Sequence, residues 1–95
     1  MAAYVIADIE ITDAAAYREY GAQVGSVIEQ YGGRFLSRGG SIETVEGEWR
    51  PSRIVLLQFA TMKDALNEYR SPEYQRLAAL RHKASRSKVI IVDGI

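Results

Sequence analysis

At 95 residues the chain has room for one core, and surface scaling has it bury roughly 60 to 65% of the area its unfolded form exposes. Hydrophobic residues at 47% and charged residues at 25% are the proportions of an ordinary globular domain and exclude a disordered tail or a coiled coil. Cysteine is absent, which excludes disulfides, thiolate metal sites and a cysteine nucleophile.

No apolar run approaches the ~18 residues of a membrane span. Met1-Ala2-Ala3 leads straight into a strand-like stretch without the segments of a signal peptide, so a cytoplasmic location is expected. The net charge of +0 conceals an asymmetry: residues 1–48 carry 8 acids and 3 bases, residues 49–95 carry 4 acids and 9 bases. The bases cluster at Arg76, Arg81, His82, Lys83, Arg86 and Lys88. Four of these fall near a helix end, where the macrodipole favours cations, so they read as a solvated face. With a pI near 6.6, nucleic acid is not an expected partner.

Val5, Ala7, Ile9 and Ile11 alternate with Tyr4, Ile6, Asp8 and Glu10, the period of a strand over 4–11. Thr12-Asp13 offers an N-cap, after which Tyr17, Tyr20, Val24, Val27, Ile28 and Tyr31 form one helical stripe that Gly32-Gly33 ends. A short strand over 34–38 stops at Gly39-Gly40, and residues 42–45 are expected to continue it after a bulge or turn. A loop over 47–52 holds the one tryptophan, Trp49. The run 54–60 is apolar on both faces, the pattern of a central strand.

Thr61 to Asp64 resembles a capping box ahead of Met62, Ala65, Leu66 and Tyr69. Ser71-Pro72 restarts the helix, which runs to about Ala84 with Leu77, Leu80 and Ala84 inward. Residues 88–93 make the last strand, closed by Gly94.

Strand, helix, strand, strand, broken helix, strand is the split βαβ layout, so the whole chain, 1–95, is expected to be one α+β domain of ferredoxin-like βαββαβ form. Its antiparallel sheet has the first and third strands in the middle and helices on one face. On the third strand the faces carry Val55, Leu57 and Phe59 against Ile54, Leu56 and Gln58. Either choice leaves large apolar side chains uncovered, at about 1.5–3 kcal/mol each. A second copy packed sheet to sheet about a twofold axis is the expected cover. The competing cover is the chain's own segment from Gly39 to Pro51.

Five stretches carry a family resemblance: Tyr4-Val5-Ile6-Ala7-Asp8, Arg38-Gly39-Gly40, Gly47-Glu48-Trp49-Arg50-Pro51, Ser71-Pro72-Glu73-Tyr74 and Asp93-Gly94. Over nearly its whole length the sequence resembles the small bacterial family catalogued as domain of unknown function 1330. The resemblance implies a ferredoxin-like fold that dimerises into an α/β barrel and supplies no reaction. The wider superfamily spans cofactor-independent monooxygenases, isomerases, dehydratases, haem enzymes and non-catalytic binding domains, so fold analogy spreads the functional expectation.

Asp8 and Arg38 are the candidate catalytic residues. Asp8 is either a carboxylate desolvated beside Tyr4 and Ile6 and fit for acid–base work, or an interface group bonded to a partner's arginine. Arg38, ahead of two glycines, either grips a ligand carboxylate or phenolate in bidentate fashion or pairs with Glu43 or Glu46. Arg53 is a weaker candidate, with a rim ion pair as its expected fate. Trp49, Tyr74 and Asp93, together with Arg38, are candidate ligand-binding residues, although packing is the commoner role for a loop tryptophan such as Trp49 and a helix tyrosine such as Tyr74.

His82, flanked by Arg81 and Lys83 with no second histidine near, reads as a surface residue, and neither a metal nor another cofactor is expected. Two functions remain open: cofactor-independent acid–base or oxidative chemistry on a small organic acid, and a non-catalytic dimeric ligand-binding or interaction module.

Overall fold

The computed structural model describes all residues from Met1 to Ile95. In chain order the elements are β1 (Ala3–Ile11), α1 (Ala14–Gln30), β2 (Arg34–Arg38), β3 (Ile54–Phe59), α2 (Met62–Arg70), α3 (Pro72–Ala84) and β4 (Ser85–Asp93). The strands form one antiparallel sheet in the order β2-β3-β1-β4. The fold is α+β and ferredoxin-like, with the first and third strands central.

Local chemistry explains where the helices begin and end. Asp13 Oδ1 accepts from the Ala16 amide at 3.1 Å and caps α1, while Gly32, at φ 84°, turns the chain out of it. Thr61 Oγ1 accepts from the Asp64 amide at 3.0 Å to cap α2. Ser71 serves both sides of the helix break: its hydroxyl donates to the Glu68 carbonyl at 2.7 Å and accepts from the Tyr74 amide at 3.1 Å. Pro72 at the first position of α3 lacks only an amide proton that a helix start leaves free.

The core lies between the helices and one face of the sheet. Ala3, Ala7, Ile9, Leu57 and Phe59 from the strands meet Tyr17, Tyr20, Val24 and Ile28 of α1 and Tyr74, Leu77 and Ala78 of α3. Phe59 is its most enclosed large side chain. A Cβ on Gly33 would sit 2.6 Å from the Phe59 ring, so only glycine lets the chain enter β2 there.

Two expectations need correction. Residues 42–45 do not extend β2: Gly39, at φ 70°, redirects the chain, and 40–53 run as irregular loop. Thr44 Oγ1 donates to the Trp49 carbonyl at 3.0 Å, and the Trp49 indole Nε1 donates to Asp8 Oδ2 at 3.0 Å. Second, β4 begins at Ser85, because pairing runs unbroken from Ile11 opposite Ser85 to Ala3 opposite Asp93. Its first residues are polar, yet Ser85 Oγ is satisfied by the Arg81 carbonyl at 2.6 Å and Ser87 Oγ by Arg81 Nη1.

The face turned away from the helices carries Tyr4, Ile6, Leu36, Leu56, Ile90 and Val92, with Asp8, Glu10, Arg86 and Lys88 at one end. Leu36, Ile90 and Val92 are exposed. The loop touches this face at Asp8 and leaves the apolar band open.

Candidate functional site

Between the sheet and the helices lies a cavity of about 380 Å³. Val5, Ala7, Val55, Leu57, Val89 and Ile91 form its floor from three strands, and Tyr17, Tyr20, Val24 and Ile28 its α1 wall. A few polar groups converge on this apolar space, the usual composition of a ligand site.

Glu68 is the acidic one. It falls on the buried stripe of α2, three residues after Ala65, and is 3% exposed. Its Oε2 has no hydrogen-bond partner, and the chain's one ion pair, Arg86 with Glu10 at 3.3 Å, lies elsewhere. Burial disfavours its charged form and pushes its pKa up to about 7.

Arg81, Arg53 and Arg38 are the basic ones. Arg81 occupies the inward stripe of α3 with Tyr74, Leu77, Ala78 and Ala84, and is 2% exposed. Burial works against its charge, but the Tyr74 and Tyr20 hydroxyls beside it more than offset this and hold its pKa above the ordinary arginine value. Tyr20 and Tyr74 share a hydrogen bond of 3.1 Å between their hydroxyls. Burial, with Tyr74 as neighbour, drives the Tyr20 pKa upward, so the Tyr20 hydroxyl remains neutral and able to donate.

Arg38 reaches the cavity because of a register shift. Phe35 faces Leu57, but Ser37 stands opposite Leu56 and Arg38 opposite Val55, an extra residue between Phe35 and Ser37. Strict alternation would send Arg38 outward; the bulge returns it to the helix side. Its guanidinium stacks 4.4 Å from the Phe35 ring centre and donates to the Gly21 carbonyl at 2.7 Å, not to Glu43 or Glu46. Arg53 makes no rim ion pair. It lies over the Tyr17 ring at 5.6 Å and against Gly39, with its Nε unpartnered.

Of the sequence candidates, the cavity thus brings together Arg38, Tyr74 and the weaker candidate Arg53. Asp8 and Trp49 lie bonded to each other on the opposite face of the sheet, and Asp93 ends β4, exposed, opposite Ala3. Asp8 lines a second, polar cleft there with Glu10, Arg50, Arg86 and Lys88. Glu68, Arg81 and Tyr20 went unread as site residues. The sequence reads Arg81 as part of a solvated basic face with His82 and Lys83; those two are exposed, but Arg81 is not. The signal was present in spacing, since Glu68 and Arg81 each interrupt an otherwise apolar stripe at a three-residue step.

The sequence matches the Domain of unknown function (DUF1330) family over residues 2–95. The chain belongs to DUF1330. No curated protein matches it. Among solved structures, this DUF1330 chain resembles RPA0582, a protein of unknown function from Rhodopseudomonas palustris, with a TM-score of 0.79 at 18% identity, covering 99% of this chain and 82% of that one. SnoaB, a cofactor-independent oxygenase from Streptomyces nogalater, aligns with a TM-score of 0.67 at 10% identity over 99% of this chain and 93% of its own. An ethd family protein from Bacillus halodurans gives 0.63 at 14% identity, with both chains covered over 100%. At these identities the likeness is one of fold. No helix of this DUF1330 chain is long and apolar enough to cross a membrane.

Proposed function

We propose that the cavity is the site of an acid–base enzyme acting on a small organic acid, with Glu68 as the group that moves the proton. The observation that carries this is an unpaired carboxyl group, 3% exposed, whose pKa lies at about 7 inside a ligand-sized apolar cavity. A general acid–base works best with a pKa near ambient pH, and such a residue contributes about 10²–10⁴-fold.

In the ionised form Glu68 takes a proton from a carbon next to a carbonyl. The C–H electron pair moves toward the carbonyl oxygen, where the Arg81 cation and the neutral Tyr20 hydroxyl offset the developing charge. Return of the proton from Glu68 to a different carbon completes an isomerisation, and return to the same carbon completes an exchange. Neither needs an oxidant. A second reading, oxidation of the same carbanion by dioxygen, has support from the fold shared with SnoaB, and oxygen consumption by the protein with substrate would separate it from isomerisation.

The test is deuterium exchange followed by proton NMR, with phenylpyruvate and short-chain 2-keto acids in D2O. Exchange above the buffer rate is expected from the natural protein, reduced about 100-fold or more in Glu68→Gln. Equal rates for the two proteins would reject the assignment.

We further propose that two copies meet on the open sheet face. The exposed band of Leu36, Ile90 and Val92 supports this, since burying it against itself recovers area that the loop leaves in water.

A further inference from the structure

We infer that the cavity's ligand is a compact apolar anion whose acidic group is held between Arg53 and Arg81. This rests on the cavity being a small-molecule site and adds which end of it recognises charge.

The two arginines come from different parts of the chain yet flank one residue. The Ile9 amide donates to the Arg53 carbonyl at 2.9 Å. On its other side Ile9 pairs with Ser87, whose hydroxyl accepts from Arg81 Nη1. The β1 strand therefore sets Arg53 and Arg81 on either side of Ile9, and all three line the cavity.

Each guanidinium keeps a buried Nε–H with no acceptor. Buried polar groups are almost always paired, and here two arginines that line one cavity each lack a full set of protein acceptors. Protein carboxylates do not provide it, since the only ion pair is on the surface and Glu68, the one acid in the cavity, pairs with neither arginine. A carboxylate has two acceptor oxygens and matches guanidinium donors in geometry as well as in charge. Arg38 adds positive charge nearby, with one of its donors given to the Gly21 carbonyl.

The remaining walls set the rest of the ligand. Tyr17, already stacked beneath Arg53, and the aliphatic floor of Val55, Leu57 and Val89 suit an apolar body. At about 380 Å³ the space is at the small end of ligand pockets, which favours a molecule of one or two rings.

The test compares phenylacetate with its neutral isostere phenylacetamide by isothermal titration at pH 7. The acid should bind at least ~10-fold tighter than the amide, and Arg53→Gln and Arg81→Gln should each remove most of that preference by weakening the acid far more than the amide. Glu68→Gln should keep the preference while losing deuterium exchange, so recognition and proton transfer are scored separately. If Arg81→Gln fails to fold, the natural protein and Arg53→Gln decide the matter. Equal binding of acid and amide by the natural protein, or full preference in Arg53→Gln, overturns the clamp alone. Binding of neither compound overturns it together with the small-molecule reading.

Discussion

A carboxyl group held at a pKa of about 7 imposes a cost on folding as well as offering a function. Glu68 binds its proton more tightly in the native state than in the unfolded chain, where its pKa is 4.5. Its contribution favours folding at low pH, declines as pH rises from near 4.5, and has been lost in full above about 7. The size is roughly 3 kcal/mol at 1.36 kcal/mol per pKa unit. Urea unfolding of natural protein and Glu68→Gln should therefore show the variant gaining about that much relative stability between pH 4.5 and pH 8. A difference that stays constant with pH would mean that Glu68 titrates normally. A gain in stability accompanied by a loss of exchange activity would be the trade expected of a site residue.

The elements were largely legible in the sequence, and the reasons are specific. Asp13, Thr61 and Ser71 are side chains that cap helices by local bonds to amides three residues on, so no tertiary knowledge was needed. Replacing Ser71 with Ala should cost about 1–2 kcal/mol, more than an ordinary cap, because its hydroxyl also donates to the carbonyl that ends α2. Thermal unfolding would register this as a fall in Tm, and an unchanged Tm would show that the break between α2 and α3 does not depend on Ser71.

The bulge before Arg38 was beyond local reading. Phe35, Leu36, Ser37 and Arg38 alternate acceptably as a strand, and only pairing with β3 shows the extra residue. The candidate site was half legible for the same reason. Tyr74 sits on an apolar stripe and was noticed; Glu68 and Arg81 sit on such stripes too, but charged side chains there read as solvent-facing until a cavity is seen behind them. Gly33 offers the complementary test of packing between elements. Gly33→Ala forces a Cβ into the Phe59 ring and should destabilise by about 1–3 kcal/mol, read from the urea midpoint.

For the molecule as a whole, the sheet divides two kinds of surface. One face, under the helices, encloses the cavity; the other presents an apolar band whose end is charged by Asp8, Glu10, Arg86 and Lys88. Sedimentation at micromolar concentration should show a dimer, and Ile90→Asp should give a folded monomer by placing a carboxylate in the middle of the contact. A natural protein that sediments as a monomer would remove the pairing proposal and leave the cavity untouched, because no cavity-lining residue belongs to the open face.

That separation has an optical consequence. The single tryptophan is 62% exposed, and its indole is bonded to Asp8 on the open face, while Tyr17, Tyr20, Tyr69 and Tyr74 line the cavity on the far side of the sheet. The tryptophan therefore reports on the open face, while four of the six tyrosines report on the cavity and Tyr4 on the open face. Emission excited selectively from Trp49 should shift to the blue when a second copy desolvates it, and tyrosine absorbance should respond when the cavity fills. Self-association and ligand uptake can then be followed in one cuvette without any added label.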